Sequence, residues 1–164
     1  MIKFTINPTG AKIQRPEACG VINGYSANAI NEASMLAAPK DQNHQKRILV
    51  VDDNEMSALT LTWAMELYGY DVRTCYNGPA AVAVAQSFQP EVVLLDIGMP
   101  VMDGYEVCRR LREDATFNGM RIVAQTGWGD PETHRQTIEA GFDVHLTKPL
   151  DLSEVKEIIE KITA

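Results

Sequence analysis

Asp52 and Asp53 stand immediately after the apolar run 48–51, and Asp96 stands immediately after the run 92–95. Thr126 follows the run 122–125, and Thr147, Lys148 and Pro149 follow 143–146. Each residue alone is ordinary: an aspartate after a strand is usually a turn former or helix cap, and Lys-Pro is a common loop pair. Three carboxylates brought to one place behave differently, because like charges at short range repel and raise one another's pKa. A cation relieves that repulsion, and an all-oxygen donor set favours a hard ion such as Mg²⁺.

Such a convergence needs a scaffold that collects strand ends. From Arg47 onward, strand-like runs at 48–51, 71–75, 92–95, 122–125 and 143–146 alternate with helix-like runs at 55–68, 79–88, 104–113, 131–140 and 152–162. Five strand–helix repeats with short connections predict a parallel sheet covered on both faces, a flavodoxin-like (βα)5 doubly wound α/β fold of strand order 2-1-3-4-5. The continuously apolar runs 48–51 and 92–95 suit central strands, and the alternating run 71–75 suits an edge. In such sheets ligands bind beyond the carboxyl ends of the strands, where the strand order reverses. Asp103 with Glu106, and Asp151 with Glu154, read as aspartate forms of the capping box. Asp130-Pro131 reads as an N-cap followed by an N1 proline. Leu152, Val155, Ile158, Ile159 and Ile162 make the apolar stripe of the last helix, and no output domain is expected after it.

Residues 1–46 differ in character, with scattered Pro, Gly, Asn and Gln and no sustained period. They are expected to form an irregular or disordered extension, with only a short helix over 27–38 capped by Ser26. The net charge of −7 divides unevenly, +2 over residues 1–46 and −9 over residues 47–164. An acidic globular part without a basic stripe argues against nucleic-acid binding. Arg109, Arg110 and Arg112 beside Glu106 and Glu113 read as a solvated helix face. Cys19, Cys75 and Cys108 are odd in number and widely spaced, which fits neither a disulfide framework nor a zinc site and suits a reducing compartment. No signal peptide or membrane span is apparent, so a cytoplasmic location is expected.

The segments ILVVDD, VVLLDIGMPVMDG, IVAQTG and HLTKP resemble the signature segments of the response-regulator receiver domain, and the resemblance covers about residues 47–162. It implies that Asp96 is the phosphoacceptor and that Mg²⁺ is held by Asp52, Asp53, Asp96 and the backbone carbonyl of Gly98. Asp53 would be a direct ligand, with Asp52 acting partly through water. Thr126 would hydrogen-bond the phosphoryl group, Lys148 would pair with its oxygens, and the Lys148–Pro149 bond would be cis. The implied partners are a histidine kinase or histidine phosphotransfer protein and a downstream protein target, with a phosphorylation-dependent homodimer also allowed. The chain would be a stand-alone receiver, not an enzyme in the turnover sense, catalysing only its own phosphorylation and dephosphorylation. These roles agree with phosphoryl-transfer chemistry, which needs charge neutralised on the transferred oxygens and attack in line.

Two departures from the family pattern stand out. His145 occupies a position that in the family usually carries Tyr or Phe, so either the switch pairs Thr126 with an imidazole, or the coupling is weak or takes another route, or His145 is a solvent-facing residue at a tolerant position. Gly98 and Trp128 stand where side chains orient the hydrolytic water, which predicts slow loss of the phosphoryl group. On the first helix, Ser57, Leu61, Ala64, Met65 and Tyr68 form one stripe suited to the sheet. Met56, Leu59, Trp63 and Leu67 form a second, and Met56, Leu59 and Trp63 are expected to receive the histidine-bearing partner. Three rivals are weaker. A pseudo-receiver acting as a constant binding module sits poorly with the intact five-residue set. A phosphatase of the haloacid dehalogenase type lacks its acid two residues after the nucleophile, where Gly98 stands. A flavin binder would meet repulsion from Asp52 and Asp53.

Overall fold

The computed structural model describes residues 45–164 apart from residues 128 and 130. The expectations for most of the extension, including the helix over 27–38 and Ser26, and those for Trp128 and for Asp130 as a cap, lie outside the described residues. The elements run β1 (Arg47–Val51), α1 (Glu55–Leu67), β2 (Asp71–Cys75), α2 (Gly78–Phe88), β3 (Val92–Asp96), α3 (Gly104–Glu113), β4 (Arg121–Thr126), α4 (Pro131–Ala140), β5 (Val144–Thr147) and α5 (Leu152–Ile162). All strand pairs are parallel and the order is β2-β1-β3-β4-β5. The ordered ladder includes Lys46, whose carbonyl accepts from Asp71 N–H.

Side-chain alternation divides the core between the two faces of the sheet. Ile48, Val50, Leu94, Val123 and Leu146 pack with α1 and α5 residues such as Met65 and Ile159. Leu49, Val51, Leu95 and Ile122 pack with α2 and α3 residues such as Ala85 and Leu111. β1 and β3 are therefore apolar on both faces, and β2 lies at the edge. β3 and β4 each run one residue beyond their apolar stretches, so Asp96 and Thr126 are the last strand residues. The ladder continues past them, with Ile97 N–H donating to Gln125 O and Lys148 N–H to Thr126 O.

Local chemistry sets the helix starts next to these strand ends. Asn54, Asn77, Asp103 and Asp151 each accept a backbone N–H of their helix's first turn. The capping box at α3 is formed from the Asp103 side, while the Glu106 carboxylate is engaged by Arg109 and Arg110. A Cβ on Gly104 would lie 2.4 Å from the Asp96 carbonyl oxygen. The start of α3 can press against the end of β3 because position 104 has no side chain.

Two sequence expectations are corrected here. Tyr68 was assigned to the buried stripe of α1 but is the helix C-cap and 40% exposed, its ring beneath the Lys156 ammonium. The helix stops before a further turn could bring that position over the sheet, and Gly69 follows at positive φ. Arg112 is no solvated residue: its guanidinium donates to the carbonyls of Gly141 and Met120 and pairs with Asp143. It ties α3 to the turn before β5, whereas Arg109 and Arg110 do remain on the exposed face.

Burial also silences the thiols of Cys75 and Cys108. Cys108 is fully buried, and that burial pushes its thiol up to about 11; burial likewise raises Cys75. Peptide mapping after iodoacetamide treatment near neutral pH is expected to find Cys108 unmodified in the native protein and alkylated after denaturation. Alkylation of native Cys108 at the denatured rate would contradict this packing.

Candidate functional site

The carboxyl edge of the sheet brings Asp52, Asp53, Asp96, Thr126 and Lys148 together. Asp52 extends the β1 ladder by one bond, its N–H donating to Cys75 O, and its side chain turns inward, leaving the residue 1% exposed. Its Oδ1 accepts from Asn54 N–H at 2.9 Å, and its Oδ2 accepts from Ser57 Oγ at 2.7 Å and Lys148 Nζ at 2.8 Å. The start of α1 therefore holds this carboxylate in place. Asp53, the next residue, is exposed. Asp96 ends the fully buried strand β3, and its Oδ1 accepts from Lys148 Nζ at 2.9 Å.

One carboxylate oxygen from each of Asp52, Asp53 and Asp96 lies within 4.8 Å of the others, the one cluster of potential metal-holding residues among those described. That spacing and the all-oxygen chemistry fit a hard divalent cation. Gly98 belongs to the same neighbourhood, since a Cβ there would approach Asp96 Oδ2 to 3.9 Å. Burial holds the Asp96 carboxyl above the usual carboxylate range against the pull of Lys148, and the charges of Asp52 and Asp53 push the same way. Burial presses the Lys148 ammonium down, but its hydrogen bonds to Asp52 and Asp96 outweigh this and leave it raised. The site thus pairs one ammonium with three acids, two of them buried. It has room electrostatically for a second cation.

Thr126 is buried at the end of β4, next to Thr147 in register. The Lys148–Pro149 peptide is cis. His145 lies half-buried on β5, its ring 5.5 Å from the ring of His134 on α4 and its Nδ1 3.4 Å from Thr137 Oγ1.

A family model described as the response regulator receiver domain matches residues 48–160. The chain belongs to this family. Its receiver domain is 40% identical over 105 residues to response regulator PleD of Caulobacter vibrioides, covering 64% of this chain and 23% of that protein. It is 34% identical over 109 residues to the DNA-binding dual master transcriptional regulator RpaA of Synechocystis sp., covering 66% of this chain and 45% of that protein. The chain therefore spans less than half the length of either relative. Among solved structures, the Vibrio cholerae chemotaxis protein CheY4 matches with a TM-score of 0.70 at 25% identity, covering 73% of this chain and 99% of that one. A signal receiver domain from Bermanella marisrubri matches at 0.67 and 30% identity, covering 74% and 100%.

Two further residues, Ser57 and Asn54, belong to the receiver site. Ser57 was read as part of the packing stripe, yet its hydroxyl holds Asp52. Asn54 both caps α1 and donates its N–H to Asp52. The cap is legible from its residue type just before the helix, but the carboxylate it serves is not. On the outer face of α1, Met56 and Trp63 are exposed, Trp63 by 58%, as is Leu67. Leu59, the third residue expected in the docking patch, is half-buried. An apolar groove lined by Met56, Leu61, Pro149, Leu150 and Leu152 runs from this patch to Lys148.

Proposed function

We propose that Asp96 accepts a phosphoryl group from a phosphohistidine of a histidine kinase or histidine phosphotransfer protein. The observation that carries this reading is the Asp96 carboxylate at the end of β3, grouped with Asp52 and Asp53 and bonded by Lys148. An Asp96 oxygen attacks phosphorus, the phosphorus–nitrogen bond breaks with its electron pair going to nitrogen, and the imidazole, already protonated on its other ring nitrogen, leaves as a neutral group. Asp52, Asp53, Asp96 and the Gly98 carbonyl would hold Mg²⁺, which supplies positive charge to the transferred oxygens. Lys148 would supply the rest, and the Thr126 hydroxyl, buried at the end of β4, would donate to the new phosphoryl group. His145 on β5, packed against His134 of α4, would respond to the new Thr126 contact. The output is phosphorylation-dependent contact with a protein target or onward transfer to a second histidine, in the cytoplasm and without substrate turnover. A net charge of −9 over residues 47–164 disfavours nucleic acid as this unit's partner, and among the described residues no helix is long and apolar enough to cross a membrane.

Labelling with acetyl phosphate in the presence of Mg²⁺ tests the reading. A phosphoryl group found on Asp96 supports it, and no label under any divalent ion would leave the chain a constant binding module.

Exposure supports a docking place for the donor on α1. Met56 and Trp63 stand on the outer face of α1, and the groove beside Met56 leads to Lys148. A tryptophan in such a position is the kind of side chain that dominates interface energy, with losses of about 2 kcal/mol or more on truncation. Trp63→Ala is expected to slow phosphotransfer from the cognate histidine protein by roughly 30-fold and to leave acetyl phosphate labelling unchanged. Equal loss of both would make Trp63 a structural residue, and no loss of either would move the docking face.

A further inference from the structure

Gln125 is an amide the fold leaves without a partner. It is 1% exposed within β4, and neither its Nε2 nor its Oε1 has a hydrogen bond. Native interiors seldom bury amides this way, because the polar atoms lose water and gain nothing. An apolar side chain of similar size would pack the same space at lower cost.

The location of Gln125 gives the amide a use. Asp96 and Gln125 are register partners on adjacent parallel strands, so their side chains leave the same face of the sheet with Cα atoms about 5 Å apart. It is the face of Leu94, Val123 and Leu146, one pleat below the site. Lys148 crosses the same place. Its backbone N–H bonds Thr126 O on β4, and its ammonium bonds Asp96 on β3 and Asp52 beyond β1. The lysine side chain therefore runs over the end of β4, where Gln125 is the strand residue on that face. An ammonium has three donors, and two are engaged, one on each carboxylate.

We propose that Gln125 is a positioning residue for Lys148 in the phosphorylated state, an inference that rests on Asp96 being the phosphoacceptor. When the phosphoryl group draws the ammonium away from Asp52, Gln125 Oε1 accepts one Lys148 N–H and Nε2 donates to the acyl oxygen of Asp96. Both unpartnered atoms are then satisfied, and the ammonium is held toward the phosphoryl oxygens. The amide suits the task because it offers one acceptor and two donors without charge. A carboxylate there would add a fourth anion to the site, and a leucine would offer Lys148 nothing.

The test compares the full chain with Gln125→Leu and Gln125→Met, which keep the volume and remove the amide. Without phosphodonor, both variants are expected to melt higher than the parent, since an unsatisfied group has gone. With acetyl phosphate and Mg²⁺, both are expected to label about tenfold more slowly. In the ¹⁵N-labelled parent, beryllofluoride with Mg²⁺ should shift the Gln125 side-chain NH₂ resonances and slow their exchange with solvent, moving the Lys148 ammonium signal in the same titration. Higher melting with parental labelling rates would reduce Gln125 to a core residue and overturn the inference, as would an NH₂ signal indifferent to beryllofluoride. Lower melting in both variants would show the amide already satisfied in the resting protein, with the same consequence. A parent that takes no label at all fails the phosphoacceptor reading itself, and this inference falls with it. If the leucine variant does not fold, the methionine variant decides.

Discussion

Asp96→Asn is expected to take no stable phosphoryl label from acetyl phosphate while folding as the parent does and melting at a higher temperature near neutral pH. The loss of label follows because an amide is no nucleophile toward phosphorus. The gain in stability follows from the sign of the pKa shift. Burial, reinforced by Asp52 and Asp53, raises the folded Asp96 carboxyl above its unfolded value. A carboxyl so raised costs stability once the pH passes the unfolded value, and the full cost is present above the folded one. Asparagine never ionises and keeps an oxygen that can accept from Lys148, so the cost disappears. The melting advantage should shrink as the pH falls through the raised folded value toward the ordinary carboxylate range, where the parent's Asp96 is protonated too. Mass spectrometry of the labelled protein and thermal melts across that range, without divalent ion, check both halves. A stable label on the variant would move the acceptor elsewhere, and a lower melting point at neutral pH would mean that the Lys148 bond outweighs burial.

Lys148→Met should have the opposite effect on stability and an equally large one on chemistry. The ammonium is the counter-ion of two buried carboxylates, Asp52 and Asp96. Removing one partner of a buried pair costs about 3–5 kcal/mol, and the 27% exposure of the Lys148 side chain brings the expectation to about 2 kcal/mol. The folded lysine is raised by its hydrogen bonds, so its contribution is fully present below the unfolded lysine value and is lost only as the pH rises through the folded one. The variant's deficit should therefore span the neutral range, narrow in strong alkali as the parent loses its ammonium, and narrow in acid as Asp96 protonates. Added Mg²⁺ should raise the variant's melting temperature more than the parent's, because a cation among Asp52, Asp53 and Asp96 relieves the same repulsion. Labelling should fall at least a hundredfold, the loss expected when a charge-stabilising group leaves a phosphoryl-transfer site. Equal Mg²⁺ responses in the two proteins would show that Lys148 and the metal do not share these carboxylates.

Much of this domain can be read in its residues one segment at a time. Period-two and helical patterns locate the elements, because each strand or helix must show an apolar face to the core, and the near-continuous apolar runs mark β1 and β3 as central. The strand-end rule then singles out Asp52, Asp53, Asp96, Thr126 and Lys148. Element ends are less legible: Asp96 and Thr126 are strand residues because the ladder, whose bonds come from neighbouring strands, continues past the apolar run.

Partners across the fold are another matter. Ser57 looks like one more small residue on a helix stripe until α1 is set against β1 and its hydroxyl meets Asp52. Arg112 looks like its neighbours Arg109 and Arg110 until α3 packs beside the turn before β5. Gln125 looks like a strand residue until the register sets it against Asp96. The residues by themselves determined the α/β fold, the strand order and the set of charged and hydroxyl groups at the carboxyl edge, since local periodicity and residue type suffice for those. Tertiary structure alone decided which of these groups touch. Lys148 and Asp52 are 96 residues apart in the chain, and their contact depends on register and helix packing acting together, which no local pattern encodes.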